Sequence, residues 1–313
     1  MHHQSPSSPG KPLTDYAAWL ENGTVAIFLF HGVIPANRHR VRNYTRKHLA
    51  VGQFVEVLDA LCASGTPMSM DEIAAATAGD QLPSRAFAVT FDDGFANNYS
   101  IARPLLRERR VPAMFYVTSG FIEANESSWI DKIEYAFEKC PRARLDLPAL
   151  GVTGRDAVTD DAKRELLDEL RRVVKADPVI DPYAIASDVW AQLVIDRMDP
   201  DPYLDQKMTW QQVRELAEDQ LFAVGGHGRT HRVLEFLSDD DLESEVKASI
   251  AALSANTGHA VTHYSYPEGL SHCYSDRVIG VLKRHGIVCA PTAEPGVNRA
   301  GDDLFRLRRI MVS

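Results

Sequence analysis

The sequence predicts an α/β fold assembled from parallel βα units. Short apolar runs recur along the chain, and their length and β-branched or aromatic content indicate buried strands over residues 25–30, 87–91, 113–117, 222–224, 263–266 and 287–290. Helical patterns alternate with these runs. Such a chain closes into a barrel or forms an open sheet, and both arrangements place chemistry at the carboxyl ends of the strands.

The predicted helices carry end signals. Ser238 and Ser275 stand before two of the patterns, where a hydroxyl accepts hydrogen bonds from N–H groups of the first turn. Gly258 and Gly286 follow the same two patterns, at a position where left-handed backbone commonly ends a helix. We therefore expect helices over residues 51–63, 96–110, 209–219, 238–257 and 275–285.

The alternation is interrupted over residues 131–208, where a charged amphipathic pattern at 161–175 is followed by several prolines. We interpret this stretch as a helical insertion. Residues 1–20 are expected to be disordered, since the opening stretch is rich in Ser, Pro and His. Residues 21–313 are then predicted to form a single domain that carries the insertion.

Composition excludes several classes of function. The formal net charge of −9 argues against a general nucleic-acid binder, which needs clustered cations. No apolar run approaches the length of a membrane span, and no secretory signal is evident, so we expect a cytoplasmic protein. The 4 cysteines form no CxxC pair, and a bound metal would therefore use harder ligands.

The first chemical signal is the sequence Thr-Phe-Asp-Asp-Gly at residues 90–94, where an apolar strand runs directly into two carboxylates. An Asp-Asp-Gly sequence is also a common turn. Its position after a strand favours a functional site, because the strand ends of a βα fold meet at one edge. Two adjacent carboxylates, Asp92 and Asp93, need a cation or a proton nearby.

The second signal is the pair His227 and His231, which follows a predicted strand and two glycines. The spacing of four residues lets both imidazoles point the same way, although surface histidines also show it by chance. With a carboxylate from another strand end, the pair supplies three ligands and leaves one position open. That arrangement indicates a hydrolytic centre.

These motifs make the chain resemble the polysaccharide deacetylases, the carbohydrate esterase family with the NodB homology domain. The family's first motif is intact at residues 90–94, and its second, His-(Ser/Thr)-x-x-His, stands at residues 227–231 with Gly228 in place of the hydroxyl residue. Residues 266–269, Tyr-Pro-Glu-Gly, loosely match the third motif. Residues 129–132 are similar to a tryptophan segment of some members.

The resemblance implies a distorted, incomplete (β/α) barrel of about seven strands. It implies that Asp93, His227 and His231 hold one divalent metal ion and that Asp92 is the general base. Zn²⁺ is the default ion, and Co²⁺, Fe²⁺, Mn²⁺ and Ni²⁺ suit the same ligands. The substrate would be a sugar or glycan, and we assign substrate contacts to Tyr266, Pro267 and Trp129.

Two departures from the family pattern concern catalysis. The third motif usually carries an Arg that orients the base, but Ser265 stands there. The last motif usually supplies a histidine that protonates the leaving amine, and residues 304–313 contain none. We assign that role to His31, at the end of the first predicted strand, with His263 as a weaker candidate.

Three functions fit these observations. The first is a metal-dependent hydrolase that removes an N-acetyl or other acyl group from an amino sugar of a surface-polysaccharide precursor. The second is an amidase or deformylase that acts on another substrate. The third is a catalytically impaired carbohydrate-binding protein, suggested by the missing Arg and His. The intact Asp92 favours an enzyme, and the sequence leaves the oligomeric state open.

Overall fold

A parallel β-sheet forms the centre of the protein. The computed structural model describes residues 13–78 and 82–313. The strands are β1 (Val25–Phe30), β2 (Gly32–Ile34), β3 (His48–Ala50), β4 (Thr66–Pro67), β5 (Ala86–Phe91), β6 (Ala113–Val117), β7 (Ala143–Leu147), β8 (Val152–Ala157), β9 (Phe222–Gly226) and β10 (Ile310–Met311). The main sheet has the order β10-β1-β5-β6-β9, with β4 also paired to β5.

The central strands form because their side chains are apolar on both faces. Every residue of β1 and β5 is buried, as expected for parallel strands covered by helices on each side. Phe91 stacks on Phe30 and on Phe115, with ring centroids 5.4 Å and 5.1 Å apart. The predicted strands 25–30 and 113–117 are confirmed residue for residue, and the one predicted at 87–91 begins one residue earlier.

The register of the sheet decides where the polar residues emerge. Phe30 is opposite Phe91, and Val117 is opposite Gly226. The residues that directly follow these strands therefore lie side by side at one edge. Asp92 N–H donates to Phe30 O, and His227 N–H donates to Val117 O, each over 3.0 Å.

The described residues also form ten α-helices. They are α1 (Val51–Ser64), α2 (Met70–Ala78), α3 (Arg103–Glu108), α4 (Ser119–Ala124), α5 (Trp129–Lys139), α6 (Asp160–Ala176), α7 (Pro182–Leu193), α8 (Trp210–Ala217), α9 (Asp239–Thr257) and α10 (Asp276–Arg284). The helix predicted at 96–110 is divided, because a π-helical turn (Asn98–Ala102) precedes α3. Pro104 in the first turn of α3 lacks the N–H that a continuous helix would use. None of the described helices is long and apolar enough to cross a membrane.

The chain forms two compact units. The first comprises Met1–Ala36, Lys47–Glu126 and Gln206–Ser313, and the second comprises Asn37–Arg46 and Ser127–Asp205. The second unit corresponds to the predicted insertion, but it is not purely helical, because β7 and β8 pair as an antiparallel hairpin beside α5, α6 and α7. Alternating burial along β7 is the period-two pattern that marks this strand.

Two predicted strands do not form as regular strands. Residues 263–266 and 287–290 are extended and make the isolated bridges Gly226↔Tyr264 and His263↔Cys289. Tyr264 N–H donates to Cys289 O over 3.0 Å, so these segments continue the sheet by single pairs. The described residues contain no closed barrel, which agrees with the predicted distorted, incomplete (β/α) barrel.

The prediction that residues 1–20 are disordered is wrong for residues 13–19. Residues 1–12 of the segment predicted to be disordered lie outside the described residues. The next seven residues form a 3-10 helix, Leu13–Trp19. Tyr16 on this helix packs edge-on against Phe28 of β1, with ring centroids 6.3 Å apart. This aromatic contact is a packing reason for the helix, and the pattern of Ser and Pro upstream did not reveal it.

The two glycines that end β9 are required by close packing. A Cβ on Gly225 would lie 2.6 Å from Tyr116 Cδ1 and 2.8 Å from His263 O. A Cβ on Gly226 would lie 2.6 Å from two ring carbons of Tyr264. Aromatic rings of Tyr116 and Tyr264 thus pack directly against the backbone of these two glycines.

We predict that Gly226→Ala lowers the free energy of unfolding by about 1–3 kcal/mol, since the added methyl group overpacks the contact with Tyr264. Gly52→Ala is the matched control, because Gly52 lies exposed in α1 with open space around it. There the same change should raise stability by up to about 1 kcal/mol through helix propensity. Urea unfolding measures the free energy of unfolding of both variants. Equal stability of Gly226→Ala and the unmodified protein would contradict the packing account.

Candidate metal centre

Three predicted ligands meet at the carboxyl edge of the sheet. Asp93 Oδ1 lies 3.1 Å from His231 Nε2 and 3.5 Å from His227 Nε2. One ligand atom from each residue lies within 4.8 Å of the others. Asp93 and His227 are buried, and His231 is largely so. The structure thus brings together a carboxylate from the end of β5 and two imidazoles from the loop after β9.

The donor set fits a divalent cation. Asp93 Oδ1 is buried and has no hydrogen-bond donor among the described residues, although it faces two imidazole nitrogens. A buried, unpaired carboxylate oxygen is costly unless a cation or proton occupies the space beside it. Two nitrogen ligands and one oxygen ligand suit zinc and neighbouring transition metals. Asp93, His227 and His231 would therefore hold the ion.

The backbone is strained at two of these ligands. Asp93 has φ 75° and His231 has φ 56°, both in the left-handed region that non-glycine residues seldom adopt. Strain of this kind persists only where the surrounding structure fixes the chain, and it concentrates at functional sites. With this backbone conformation, the side chains of Asp93 and His231 both point toward the cluster at the edge of the sheet.

Hydrogen bonds orient the first imidazole. His227 Nδ1 lies 2.9 Å from Ser265 O, so Nδ1 carries the hydrogen and Nε2 is left to face Asp93. Burial acts to lower the pKa of His227, but Asp92 and Asp93 outweigh it and raise that pKa. The second imidazole, of His231, stacks on Phe121 with ring centroids 5.8 Å apart.

The loop between the histidines is held by a carboxylate from α9. Glu245 Oε1 accepts hydrogen bonds from the N–H groups of Arg229 and Thr230, over 2.7 Å and 2.6 Å. Gly228 has φ 76°, and a Cβ there would lie 3.2 Å from this same oxygen. The family's hydroxyl residue is replaced by Gly228, and Glu245 supplies the acceptor that organises the loop.

Asp92, the predicted base, is bound by a buried arginine. Arg309 NH1 donates to Asp92 Oδ1 and NH2 donates to Asp92 Oδ2, each over 2.8 Å. The other guanidinium donors reach Thr90 Oγ1, Thr292 O and Ser265 Oγ, so all five N–H groups are used. Burial acts to raise the pKa of Asp92, but Arg309 and then His227 lower it below its ordinary value.

Arg309 supplies the guanidinium that the family pattern would place at residue 265. The Ser265 hydroxyl lies 3.3 Å from Asp92 Oδ2 and accepts from Arg309 NH2 over 2.8 Å. A small residue at 265 therefore leaves room for a guanidinium that arrives from a different segment. Sequence reasoning missed Arg309. Both Arg308 and Arg309 lie between Leu307 and Ile310, and only Arg309 is buried, so the sequence carried no signal that distinguished it.

His31 follows β1 and faces the same cluster of charges. The charges that act on its imidazole include those of Asp93, Lys47 and Asp92. Burial lowers the pKa of His31 to about 4, so the imidazole is neutral near pH 7 in the resting site. The structure therefore brings His31 to the predicted place, but without the proton that a general acid would carry.

The residues assigned to substrate binding are buried. Tyr266 donates its hydroxyl hydrogen to Phe305 O over 2.9 Å and stacks on Tyr274. Pro267 is buried and would lie 3.3 Å from a Cβ on Gly228, beside the histidine loop. Trp129 is only 3% exposed and packs in the core of the second unit. A packed indole offers no open face to a sugar ring, which is at odds with the role assigned to Trp129.

His263, the weaker candidate for the acid, has another partner. Its Nε2 lies 2.8 Å from Asp71 Oδ1 of α2, and the imidazole is buried. This contact ties the segment beside β9 to α2. His263 therefore has a structural contact in place of a free position at the candidate site.

A mostly parallel α/β sheet with a His₂-carboxylate cluster at its carboxyl edge is an arrangement used by enzymes with catalytic metal sites. Residues 79–290 match the family model described as polysaccharide deacetylase. The chain therefore belongs to the polysaccharide deacetylase family, a family of carbohydrate deacetylases, as the resemblance implied. A comparison with curated proteins finds no match.

Solved structures show the same fold. The chain is 17% identical to the Streptococcus pyogenes deacetylase PplD in complex with acetate, with a TM-score of 0.60 and 93% of each chain covered. It is 18% identical to IcaB from Ammonifex degensii, with a TM-score of 0.60, covering 94% of this chain and 93% of that one. It is 15% identical to a de-N-acetylase from Aggregatibacter actinomycetemcomitans, with a TM-score of 0.60 and coverage of 93% and 95%.

We predict that Arg309→Met lowers the free energy of unfolding by about 3–5 kcal/mol, because it leaves the Asp92 carboxylate buried without its cation. Adding Asp92→Asn should recover part of that loss, since removing both charges is less costly than removing one. Arg306→Met is the control: this arginine of the same segment is half-exposed and pairs with Asp276, so its loss should cost at most about 1 kcal/mol. Urea unfolding of the metal-free proteins measures these differences in the free energy of unfolding. If the double variant is no more stable than Arg309→Met, the proposed pairing of Arg309 with Asp92 is wrong.

We predict a pH-dependent difference between the metal-free protein and His31→Gln. A folded-state pKa of about 4 lies below the unfolded value of 6.5, so the unfolded chain binds more protons as the pH falls between these values. The unmodified protein should therefore lose up to about 2 kcal/mol more stability than the variant from pH 7 to pH 5. Parallel loss of unfolding free energy in both proteins would show that His31 titrates normally.

Proposed function

We propose that the protein is a metal-dependent hydrolase that removes an N-acetyl group from an amino sugar in a carbohydrate or surface-polysaccharide precursor. The observation that carries this proposal is the joint placement of Asp92 and the three candidate ligands. A base that has a guanidinium partner lies next to a carboxylate and two imidazoles that fit a divalent ion. Family membership supplies the reaction class.

Each residue has a role in the proposed reaction. The metal, when bound, polarises water and the acyl oxygen. Asp92 accepts the proton that water loses as it attacks the acyl carbon. Arg309 fixes the direction of both Asp92 oxygens and keeps this carboxylate ionised. The backbone N–H of Tyr266 is proposed to donate to the developing oxyanion.

The departing nitrogen must gain a proton when its bond to the acyl carbon breaks. We assign this transfer to His31, which lies within electrostatic reach of Asp92. Because its imidazole is neutral in the resting site, it must receive the proton that Asp92 takes from water before it can deliver that proton to the nitrogen. The low pKa then makes it a strong donor once it is protonated.

The alternative of a carbohydrate-binding protein without activity rested on two missing residues. One of these departures no longer supports it, because Arg309 binds Asp92 from another segment. An ionised, arginine-bound carboxylate beside a metal site serves no evident purpose in simple sugar binding. The amidase or deformylase alternative differs only in the acyl group and substrate, and the same assay separates it.

The test uses protein purified without a metal-affinity column, stripped with a chelator and reloaded with Zn²⁺ or Co²⁺. We expect about one ion per chain. Acetate should be released from a nucleotide-linked N-acetyl amino sugar or a short N-acetylglucosamine oligomer. Asp92→Asn should retain the metal but lose about 10²–10⁴-fold in kcat, because it removes the base. His227→Ala should lose the metal.

His285→Gln is the control, because this histidine pairs with Glu243 away from the candidate ligands. It should keep both metal and activity. Release of formate from the matching N-formyl amino sugar, with no acetate from the N-acetyl sugars, would favour the deformylase. A loaded protein that releases neither from any of these sugars would reject the hydrolase and favour the binding protein.

A further inference from the structure

Lys47 contacts the second oxygen of the ligand carboxylate. Lys47 Nζ lies 2.9 Å from Asp93 Oδ2. The other oxygen, Oδ1, lies between the two imidazoles, 3.1 Å from His231 Nε2 and 3.5 Å from His227 Nε2. The two oxygens of one carboxylate therefore have different partners, a protein cation on one and a cation-binding space on the other.

The lysine is held in place by its surroundings. Its side chain is only 18% exposed, and its ammonium lies 4.8 Å from the ring centroid of the buried Phe95. Cation–π attraction at a mostly desolvated site adds to the ion pair. Lys47 also directly precedes β3, whose residue His48 pairs with Gly32 of β2.

The strand pairing behind Lys47 is tight. A Cβ on Gly32 would lie 2.0 Å from His48 Nδ1 and 2.7 Å from Asn97 Oδ1, so this glycine permits the close approach of β3. His48 Nδ1 in turn lies 2.9 Å from Asn97 Nδ2. The backbone that carries Lys47 is thus fixed relative to the segment that follows Asp93.

We propose that Lys47 is a positioning residue that engages Oδ2 of Asp93, so that this carboxylate offers only Oδ1 to the metal. The inference rests on the proposed metal centre and adds a residue to it. Carboxylates bind metals through one oxygen or through both. Engagement of Oδ2 keeps the protein's contribution at three ligand atoms and leaves a position open for water or substrate.

Lys47 also balances charge around the ion. Together Asp93 and Lys47 are neutral, so with two neutral imidazoles the site does not neutralise the divalent charge. A site of this kind retains more of the ion's power to polarise an acyl oxygen than a site with a bare carboxylate. Partners of metal ligands commonly change affinity or activity by about 10–100-fold when they are removed.

The experiment compares two variants. Lys47→Met keeps a side chain of similar length but removes the charge, and Lys47→Arg keeps a cation at this position. Lys163→Met is the matched control, because Lys163 is also buried but donates to Cys140 O in the second unit. Each protein is loaded with Co²⁺, and its visible absorption and kcat for acetate release are measured. Circular dichroism confirms that each variant is folded.

We expect Lys47→Met to bind cobalt with an additional oxygen ligand, seen as weaker visible bands, and to lose about 10–100-fold in kcat. Lys47→Arg should restore the spectrum and most of the activity, and Lys163→Met should match the unmodified protein. An unchanged cobalt spectrum in Lys47→Met would overturn the inference.

The two proposals fail in different ways. If the unmodified protein binds cobalt but releases no acetate, the proposed activity is wrong, and the spectra alone decide the role of Lys47. If the unmodified protein binds no cobalt, the metal centre is wrong and the role of Lys47 falls with it. If Lys47→Met keeps the spectrum of an active protein, only the role of Lys47 is wrong.

Discussion

The buried ion pair between Asp92 and Arg309 is the interaction on which the candidate site depends. Two charges removed from water are tolerated only when their geometry is good and their other hydrogen-bonding groups are satisfied. Here every guanidinium N–H has an acceptor, and both carboxylate oxygens receive a hydrogen bond. The pair thereby keeps Asp92 in its ionised form. It also joins the end of β5 to the segment that leads into β10.

Two departures from the family pattern are each compensated by a residue from a distant element. Gly228 lacks the usual hydroxyl, and Glu245 of α9 holds the loop instead. Ser265 lacks the usual guanidinium, and Arg309 supplies one. At each position a small residue, Gly228 or Ser265, leaves room for a longer side chain, Glu245 or Arg309. Asp92 therefore has a guanidinium partner, although the arginine lies at a different place in the sequence from the family's usual one.

The central strands and the clustering of Asp93, His227 and His231 could be predicted because local sequence determines the strands and the residues that follow them. Apolar runs specify β1, β5 and β6, and the parallel arrangement brings the residues that follow them to one edge. Arg309 and Lys47 could not be placed, since their partners lie far away in sequence and no local pattern marks them. The hairpin of β7 and β8 escaped notice because prolines and charges dominated its surroundings. His31 directly follows β1, as its position in the sequence indicated, but its protonation state depends on burial, which only the folded structure reveals.

The contact of Arg309 with Asp92 spans 217 residues of chain. Contacts between residues so far apart form only after a large loop has closed, at an entropic cost that must be met before the contact contributes. The pair can form only once β10 has docked beside β1, whereas the histidines and Asp93 are brought together by β5, β6 and β9. During refolding, Asp93, His227 and His231 could therefore come together before Asp92 acquires its guanidinium. A partly folded chain would then hold the candidate ligands in place while the Asp92 carboxylate still lacked its cation.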